Sequence, residues 1–189
     1  MKVYLAGPDV FMRNALEVGR RKKEICAQHG LVGLFPLDHE IDGNPVTGGP
    51  ADQEVSLQIF HRCVVMMEAA DAIIANLTPF RGPSADAGTV FELGFMAARG
   101  KLCTGYSNVS GSYIDRIGDR TPPDDGQEFY VDRDGNAVED FGLADNLMIV
   151  HALGVFGQAI LTPGHALADR WQDLTLFEKC VRWIADDRA

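Results

Sequence analysis

The sequence has few cationic residues: 17 Lys and Arg stand against 27 Asp and Glu, which gives a formal net charge of -10 over 189 residues. A surface that binds nucleic acid or an anionic membrane needs a concentrated positive field. We therefore expect no nucleic-acid partner and no membrane partner, and small molecules are the expected ligands. No run reaches the roughly 20 apolar residues that span a bilayer, and the beginning of the chain lacks the pattern of a secretory signal. The expected location is the cytoplasm.

Motifs that hold metals or cofactors are also missing. The four cysteines lie far apart and form no CxxC pair, and no His stands near them at zinc spacing, so we expect reduced thiols and no metal site. The chain has no GxxxxGK[ST] or GxGxxG loop for phosphates, no GxSxG elbow and no HExxH helix motif. We expect no cofactor, and carboxylates remain as the catalytic candidates.

What is present is an alternation of short apolar runs with longer amphipathic segments. This pattern predicts an α/β fold: a single-domain, Rossmann- or flavodoxin-like three-layer sandwich over residues 1–189, with a central, mostly parallel sheet between helices. The predicted strands are Val3–Ala6, Leu31–Phe35, Ala72–Ala75 and Leu102–Tyr106. The predicted helices are Met12–Gln28, Asp52–Ala69, Ala87–Arg99, Asn146–Leu161 and Asp169–Ala185. In such a sheet the ligand site lies at the carboxyl ends of the strands.

The segment 107–145 interrupts this alternation with many Gly, Pro and acidic residues, and we interpret it as a loop insertion. Within it, Asp134-Gly135 stands between β-prone residues, which predicts a hairpin. A calcium loop is disfavoured because no Glu follows at the twelfth position. The sequence does not distinguish a lid, an interface or a decorated loop.

The predicted helix Asp52–Ala69 has two apolar stripes, one through Ile59 and Cys63 and the other through Leu57 and Phe60. One stripe can cover the sheet. The other requires a second partner, either another subunit or further packing inside the monomer.

The strongest chemical signal is the strand, loop and helix start over residues 71–94. Asp86 stands where a helix N-cap is expected, and Glu92 follows six residues later among apolar neighbours. Gly88 and Gly94 weaken a helix and suggest a close approach of ligand or backbone on that side. The alternative is an ordinary capping Asp with a surface Glu.

Three segments of this sequence resemble the nucleoside 2-deoxyribosyltransferase family. They are the opening Tyr4-Leu5-Ala6-Gly7-Pro8-Asp9-Val10-Phe11, the block from Asp86 to Gly94 preceded by Asp71, and the late Asn146-Leu147-Met148. The resemblance implies transfer of a 2'-deoxyribosyl group between nucleobases through a covalent ester, with a 2'-deoxynucleoside and a free nucleobase as partners and a role in nucleoside salvage.

The resemblance also implies catalytic roles for individual residues. Glu92 would be the nucleophile, Tyr4 would orient it through its hydroxyl, and Asp71 would contact the base and protonate it as it leaves. Asp86 would accept a hydrogen bond from the sugar 5'-hydroxyl.

Further residues complete the expected substrate site. Gly7 and Gly88 would lie against the substrate, Phe11 and Phe35 would be walls of the pocket, and Glu40 would contact the edge of the base. By the same resemblance, Asn146 and Met148 would come from a neighbouring subunit, which would make the protein a homo-oligomer with a shared site.

Two alternatives use the same residues differently. A nucleoside or nucleoside 5'-monophosphate N-glycosidase would use Glu92 but transfer to water. A carboxylate at Asp86 disfavours the phosphate because the two like charges repel. A non-catalytic nucleoside-binding sensor is the other alternative.

Overall fold

A computed structural model describes residues 1–38, 53–123 and 128–186. The central sheet has four parallel strands in the order β2-β1-β3-β4. The strands are β1 (Lys2–Ala6), β2 (Val32–Leu34), β3 (Ala72–Asn76) and β4 (Leu102–Tyr106). The helices are α1 (Ala15–Gln28), α2 (Gln53–Ala69), α3 (Ala87–Ala98), α4 (Leu147–Phe156) and α5 (Thr175–Asp186). The predicted α/β class with a parallel sheet is confirmed.

Successive side chains of the strands point to opposite faces of the sheet, and the core is therefore divided into two layers. Val3 and Leu5 of β1 pack with α1 and α5, whereas Tyr4 and Ala6 face the opposite side, where α2, α3 and α4 lie. A strand side chain points to one face or the other with period two, so Tyr4 is directed into the layer that contains α3.

The end of the predicted helix Asn146–Leu161 is wrong. The helix α4 ends at Phe156, and residues 157–161 run beside β4, where Gly157 bridges Cys103 and Leu161 bridges Tyr106 in parallel. The fifth position of the sheet is thus filled by a short extended segment. The last helix also begins at Thr175, six residues after the predicted Asp169.

The predicted hairpin lies inside the segment between β4 and α4. Its strands are β5 (Tyr130–Val131) and β6 (Ala137–Val138), which pair antiparallel. Gly135 takes a positive φ of 82° in the turn, and the Asp132 carboxylate accepts the main-chain N–H of Asn136. A short 3-10 turn, Ile114–Arg116, precedes the hairpin. Among the described residues, none of the helices combines the length and apolar character needed to cross a membrane.

Candidate active site

A hydrogen bond between Tyr4 and Glu92 forms the centre of the candidate site. Tyr4 is fully buried in β1, and its hydroxyl donates to Glu92 Oε1 over 2.6 Å. Glu92 lies on α3 beside the buried Leu93 and is itself only partly exposed. Among the described residues, no protein donor bonds Glu92 Oε2. One carboxylate oxygen is thus held by the sheet, and the other is available to a ligand.

Burial and neighbouring groups shift the pKa of both Glu92 and Tyr4. Burial raises the pKa of Glu92 to about 7, and the nearby charge of Asp86 acts in the same direction, whereas the Tyr4 hydrogen bond lowers it. Burial and the neighbouring Glu92 raise the pKa of Tyr4 well above its ordinary value. Tyr4 therefore keeps its proton and remains a donor, while Glu92 is close to its point of half-ionisation at neutral pH.

Asp86 is the N-cap of α3. Its Oδ2 accepts the main-chain N–H of Thr89 at 3.0 Å and the Thr89 hydroxyl at 3.1 Å. Gly88 leaves room for this carboxylate, because a Cβ there would stand 3.1 Å from Asp86 Oδ2. In the described part of the chain, Oδ1 of Asp86 takes no protein hydrogen bond. A capping interaction thus occupies one oxygen and leaves the other for a hydroxyl donor.

The turn after β1 is fixed by a buried ion pair that sequence reasoning missed. Lys22 of α1 donates to Asp9 Oδ2 at 2.6 Å, and both side chains are at most 2% exposed. The amide of Asn76, at the end of β3, donates to both Asp9 oxygens. Gly7 has no space for a side chain, since a Cβ would meet Asp9 Oδ2 at 2.5 Å. The detectable signal was a lysine on the apolar stripe of α1, between Val18 and Cys26.

Phe11 lies in an aromatic cluster at the carboxyl edge of the sheet. Its ring stacks on Phe80 with centroids 5.3 Å apart, and the guanidinium of Arg81 lies over both rings. Trp171 meets Phe80 edge-on at 6.2 Å. Phe35, the other predicted wall, is instead buried in the core on the α1 side, where Gly19 makes room for its ring.

Asn146 and Met148 lie at the beginning of α4. The Asn146 side chain caps the helix by accepting the Met148 N–H at 3.0 Å, and its amide donates to Glu139. The Met148 side chain is 72% exposed. Among the described residues, no hydrogen bond joins Asn146 to Glu92 or Asp86.

One predicted residue, Asp71, is not brought to this group. Asp71 is exposed at the beginning of β3, where its carboxylate accepts the main-chain N–H of Lys2 at 2.7 Å. That edge of the sheet is opposite to the one from which the loops of Asp9 and Asp86 depart. Glu40 lies outside the described residues.

These contacts describe a carboxylate suited to covalent catalysis. Glu92 is partly desolvated, oriented by a neutral phenol and free on one oxygen, which is the arrangement that a nucleophilic carboxylate needs. The described ranges contain no group of three His, Cys, Asp or Glu side chains that could hold a metal ion.

Comparison with known proteins places this geometry in context. A family model described as nucleoside 2-deoxyribosyltransferase matches residues 3–148. The chain is 35% identical over 158 residues to a Schizosaccharomyces pombe protein described as uncharacterized, which covers 77% of this chain and 74% of that protein. The match to the family model includes the segments that carry Tyr4, Glu92 and Asn146.

Solved structures show the same architecture. A 2-desoxiribosyltransferase from Leishmania mexicana superposes with a TM-score of 0.66 at 28% identity, with 100% of this chain and 99% of that chain covered. A 2-deoxyribosyltransferase from Bacillus psychrosaccharolyticus superposes with a TM-score of 0.50 at 18% identity, covering 92% of this chain and 90% of that chain. The second likeness concerns the fold alone.

Proposed function

Because this chain belongs to the nucleoside 2-deoxyribosyltransferase family, we propose that it transfers a 2'-deoxyribosyl group from one nucleobase to another. The observation that carries the proposal is the hydrogen bond from Tyr4 to Glu92, which orients a partly buried carboxylate and leaves its second oxygen free. The name of the Leishmania mexicana protein supports the same reaction class.

In the first half-reaction, Glu92 Oε2 attacks C1' of a 2'-deoxynucleoside. The C1'–N bond breaks, its electron pair leaves with the base, and a C1'–O ester with Glu92 forms through an oxocarbenium-like transition state. The departing base takes up a proton from solvent, because Asp71, to which the family resemblance assigned this step, lies at the opposite edge of the sheet. In the second half-reaction, a nitrogen of another base attacks C1' and releases its proton to solvent, the ester bond breaks, and the Glu92 carboxylate returns. Two inversions leave the configuration at C1' unchanged.

Asp86 supports a choice of unphosphorylated substrate. Its free Oδ1 is suited to accept a hydrogen bond from the 5'-hydroxyl of the sugar. A phosphate at that position would face the charges of both Asp86 and Glu92, and two like charges repel strongly in a partly desolvated pocket. We therefore propose nucleosides, rather than nucleoside monophosphates, as the substrates in a salvage reaction.

We further propose that the active form is a homo-oligomer, with Asn146 and Met148 completing the neighbouring subunit's site. The outer face of the α2–α4 layer supports this proposal. Large apolar side chains are exposed there on three helices: Leu57, Phe60, Phe91, Met148 and Val155. An apolar patch of this kind indicates a protein interface.

The test is chromatography of the products formed from 2'-deoxyinosine and adenine, repeated without adenine and with 2'-deoxyuridine as the donor. We expect 2'-deoxyadenosine to appear only when adenine is present. Hypoxanthine that accumulates equally without adenine would instead show a hydrolase, and a donor that is never consumed would favour a nucleoside-binding protein.

A matched pair of variants tests the nucleophile. Glu92→Gln should lower the transfer rate by about a thousandfold or more, since it removes the attacking oxygen. Glu24→Gln, on the exposed surface of α1, should leave the rate unchanged. Full activity in Glu92→Gln would refute the covalent mechanism.

A further inference from the structure

The segment between β4 and α4 contains an ion pair whose two side chains form hydrogen bonds with the loop before α3. Arg116, in the 3-10 turn of this segment, lies 3.8 Å from Asp145, the residue that precedes the α4 cap. The Arg116 side chain is 13% exposed and that of Asp145 is 1% exposed. We refer to these two residues as the Arg116–Asp145 clamp.

Asp145 uses both carboxylate oxygens on the chain around it. Oδ1 accepts the hydroxyl of Ser84 and, at 2.8 Å, the main-chain N–H of Asn146. Oδ2 accepts the main-chain N–H of Ala85 at 3.0 Å. One buried side chain thereby joins the loop before α3 to the beginning of α4.

Arg116 directs three nitrogens to main-chain oxygens. Nε donates to the Pro83 carbonyl at 2.7 Å, Nη1 to Ser112 at 3.2 Å and Nη2 to Ala144 at 2.5 Å. A guanidinium presents donors in a fixed planar fork, whereas a lysine ammonium is a single point charge on a flexible stem. The geometry at this position therefore requires arginine for reasons beyond its charge.

The residues held by the clamp directly precede Asp86. Pro83, Ser84 and Ala85 are each bonded to Arg116 or Asp145, and the next residue is the N-cap of α3. Among the residues that the structure describes, the Asp86 carboxylate forms hydrogen bonds only with Thr89 of its own helix. Its position relative to the rest of the pocket is thus set by the backbone that enters it.

We propose that Arg116 and Asp145 are positioning residues that place Asp86 to recognise the 5'-hydroxyl of the substrate. Through these two residues, the segment between β4 and α4 then fixes the position of the loop before α3. The clamp itself is independent of the reaction, whereas its effect on substrate recognition rests on the proposed function.

The first experiment compares kcat/KM for 2'-deoxyinosine with kcat/KM for 2',5'-dideoxyinosine, which lacks the 5'-hydroxyl. A hydrogen bond to a charged group gives a preference of roughly ten- to a hundredfold for the hydroxylated donor, and we expect this preference in the wild type. Arg116→Met and Asp86→Ala should both reduce it to near one. The double variant should be no worse than Asp86→Ala alone, because the two residues act through one contact.

Arg120→Met is the matched control. Arg120 lies in the same segment, donates to the Ile117 carbonyl and forms an ion pair with Asp115 at 3.9 Å, away from the loop before α3. The preference of Arg120→Met for the hydroxylated donor should therefore equal that of the wild type. The positioning role would be overturned if Arg116→Met kept the full preference. It would also be overturned if kcat/KM fell by the same factor for both donors.

The second experiment measures amide hydrogen exchange and needs no activity. Removal of the clamp should accelerate exchange at Ala85 and at the first turn of α3 in Asp145→Asn and Arg116→Met, and Arg120→Met should not change it. Ser84→Ala removes a single contact of the clamp and can be used if the variants without the ion pair fail to fold. It should also accelerate exchange at Ala85 and in the first turn of α3, but to a smaller extent. Unchanged exchange at Ala85 in these variants refutes the clamp. A wild type that transfers no sugar but shows the exchange pattern refutes the proposed function alone.

Discussion

Two neighbours act on the Glu92 carboxylate in opposite directions. Burial and Asp86 favour its protonated form, and the Tyr4 hydroxyl favours the ionised form that can attack a sugar. In the proposed mechanism, the Tyr4 phenol thus both orients the Glu92 carboxylate and raises the fraction of it that is ionised at neutral pH.

This balance predicts a shifted pH profile for Tyr4→Phe. Loss of the hydrogen bond should raise the Glu92 pKa further above 7, so the acid limb of kcat/KM should move by about one to two pH units toward alkaline pH. The loss of rate at pH 6 should exceed that at pH 9. Tyr130→Phe, in the hairpin, is the control, and the acid limb of its kcat/KM profile should lie at the same pH as in the wild type. An unmoved limb in Tyr4→Phe would contradict this account.

At the residue scale, short motifs predicted much of the site. Asp86 at a helix cap and Glu92 two turns into the helix could be placed from spacing, and the resemblance added Tyr4. Asp71 shows the limit, because an acid at a strand start satisfies the backbone of the adjacent strand. Arg116 and Asp145 were missed because their partners are distant in sequence, and only the folded chain brings them together.

At the scale of elements, the strands and most helix bounds could be predicted, and the early end of α4 has a steric cause. Apolar residues continue past Phe156, so the pattern predicts a longer helix. The chain instead turns at Gly157, whose backbone presses against Cys103 of β4. Periodicity does not show which residues must approach a neighbouring strand.

Gly157→Ala should therefore destabilise the fold. A Cβ there would overlap the Cys103 carbonyl and stand 2.7 Å from its carbon, so the free energy of unfolding should fall by about 1–3 kcal/mol. Gly154 is an exposed position of α4 with no atom within 4 Å of an added Cβ, so Gly154→Ala should raise the free energy of unfolding by about 0.5–1 kcal/mol. Denaturant unfolding of both variants measures the contrast, and equal stability would show that β4 yields to the added methyl group.

At the scale of the whole molecule, the two helical layers differ in what they expose. The α2–α4 layer carries Glu92 and Asp86 and also the exposed rings of Phe60 and Phe91, whose centroids are 6.1 Å apart. The site and the proposed interface thus share one side of the sheet, and association of subunits would close over the pocket.

A charge in this surface should dissociate the oligomer. Phe60→Asp should lower the mass measured by light scattering, because a carboxylate cannot be buried in an apolar interface without a partner. The transfer rate should fall with the mass. Leu16→Asp places the same charge on an exposed position of α1, in the other layer, and should leave the assembly intact. A wild type that is already monomeric would refute the shared site.

The raised pKa of Glu92 also makes the stability of the fold depend on pH. The native state holds this proton up to about pH 7, whereas an unfolded chain releases it near the ordinary value of 4.5. The stabilisation given by the protonated carboxyl is therefore complete below pH 4.5 and is lost as the pH rises through 7. Glu92→Gln should melt at a higher temperature than the wild type at pH 8 and at the same temperature at pH 4. The protonation state in which Glu92 contributes most to the stability of the fold is thus the one in which its carboxyl cannot act as a nucleophile.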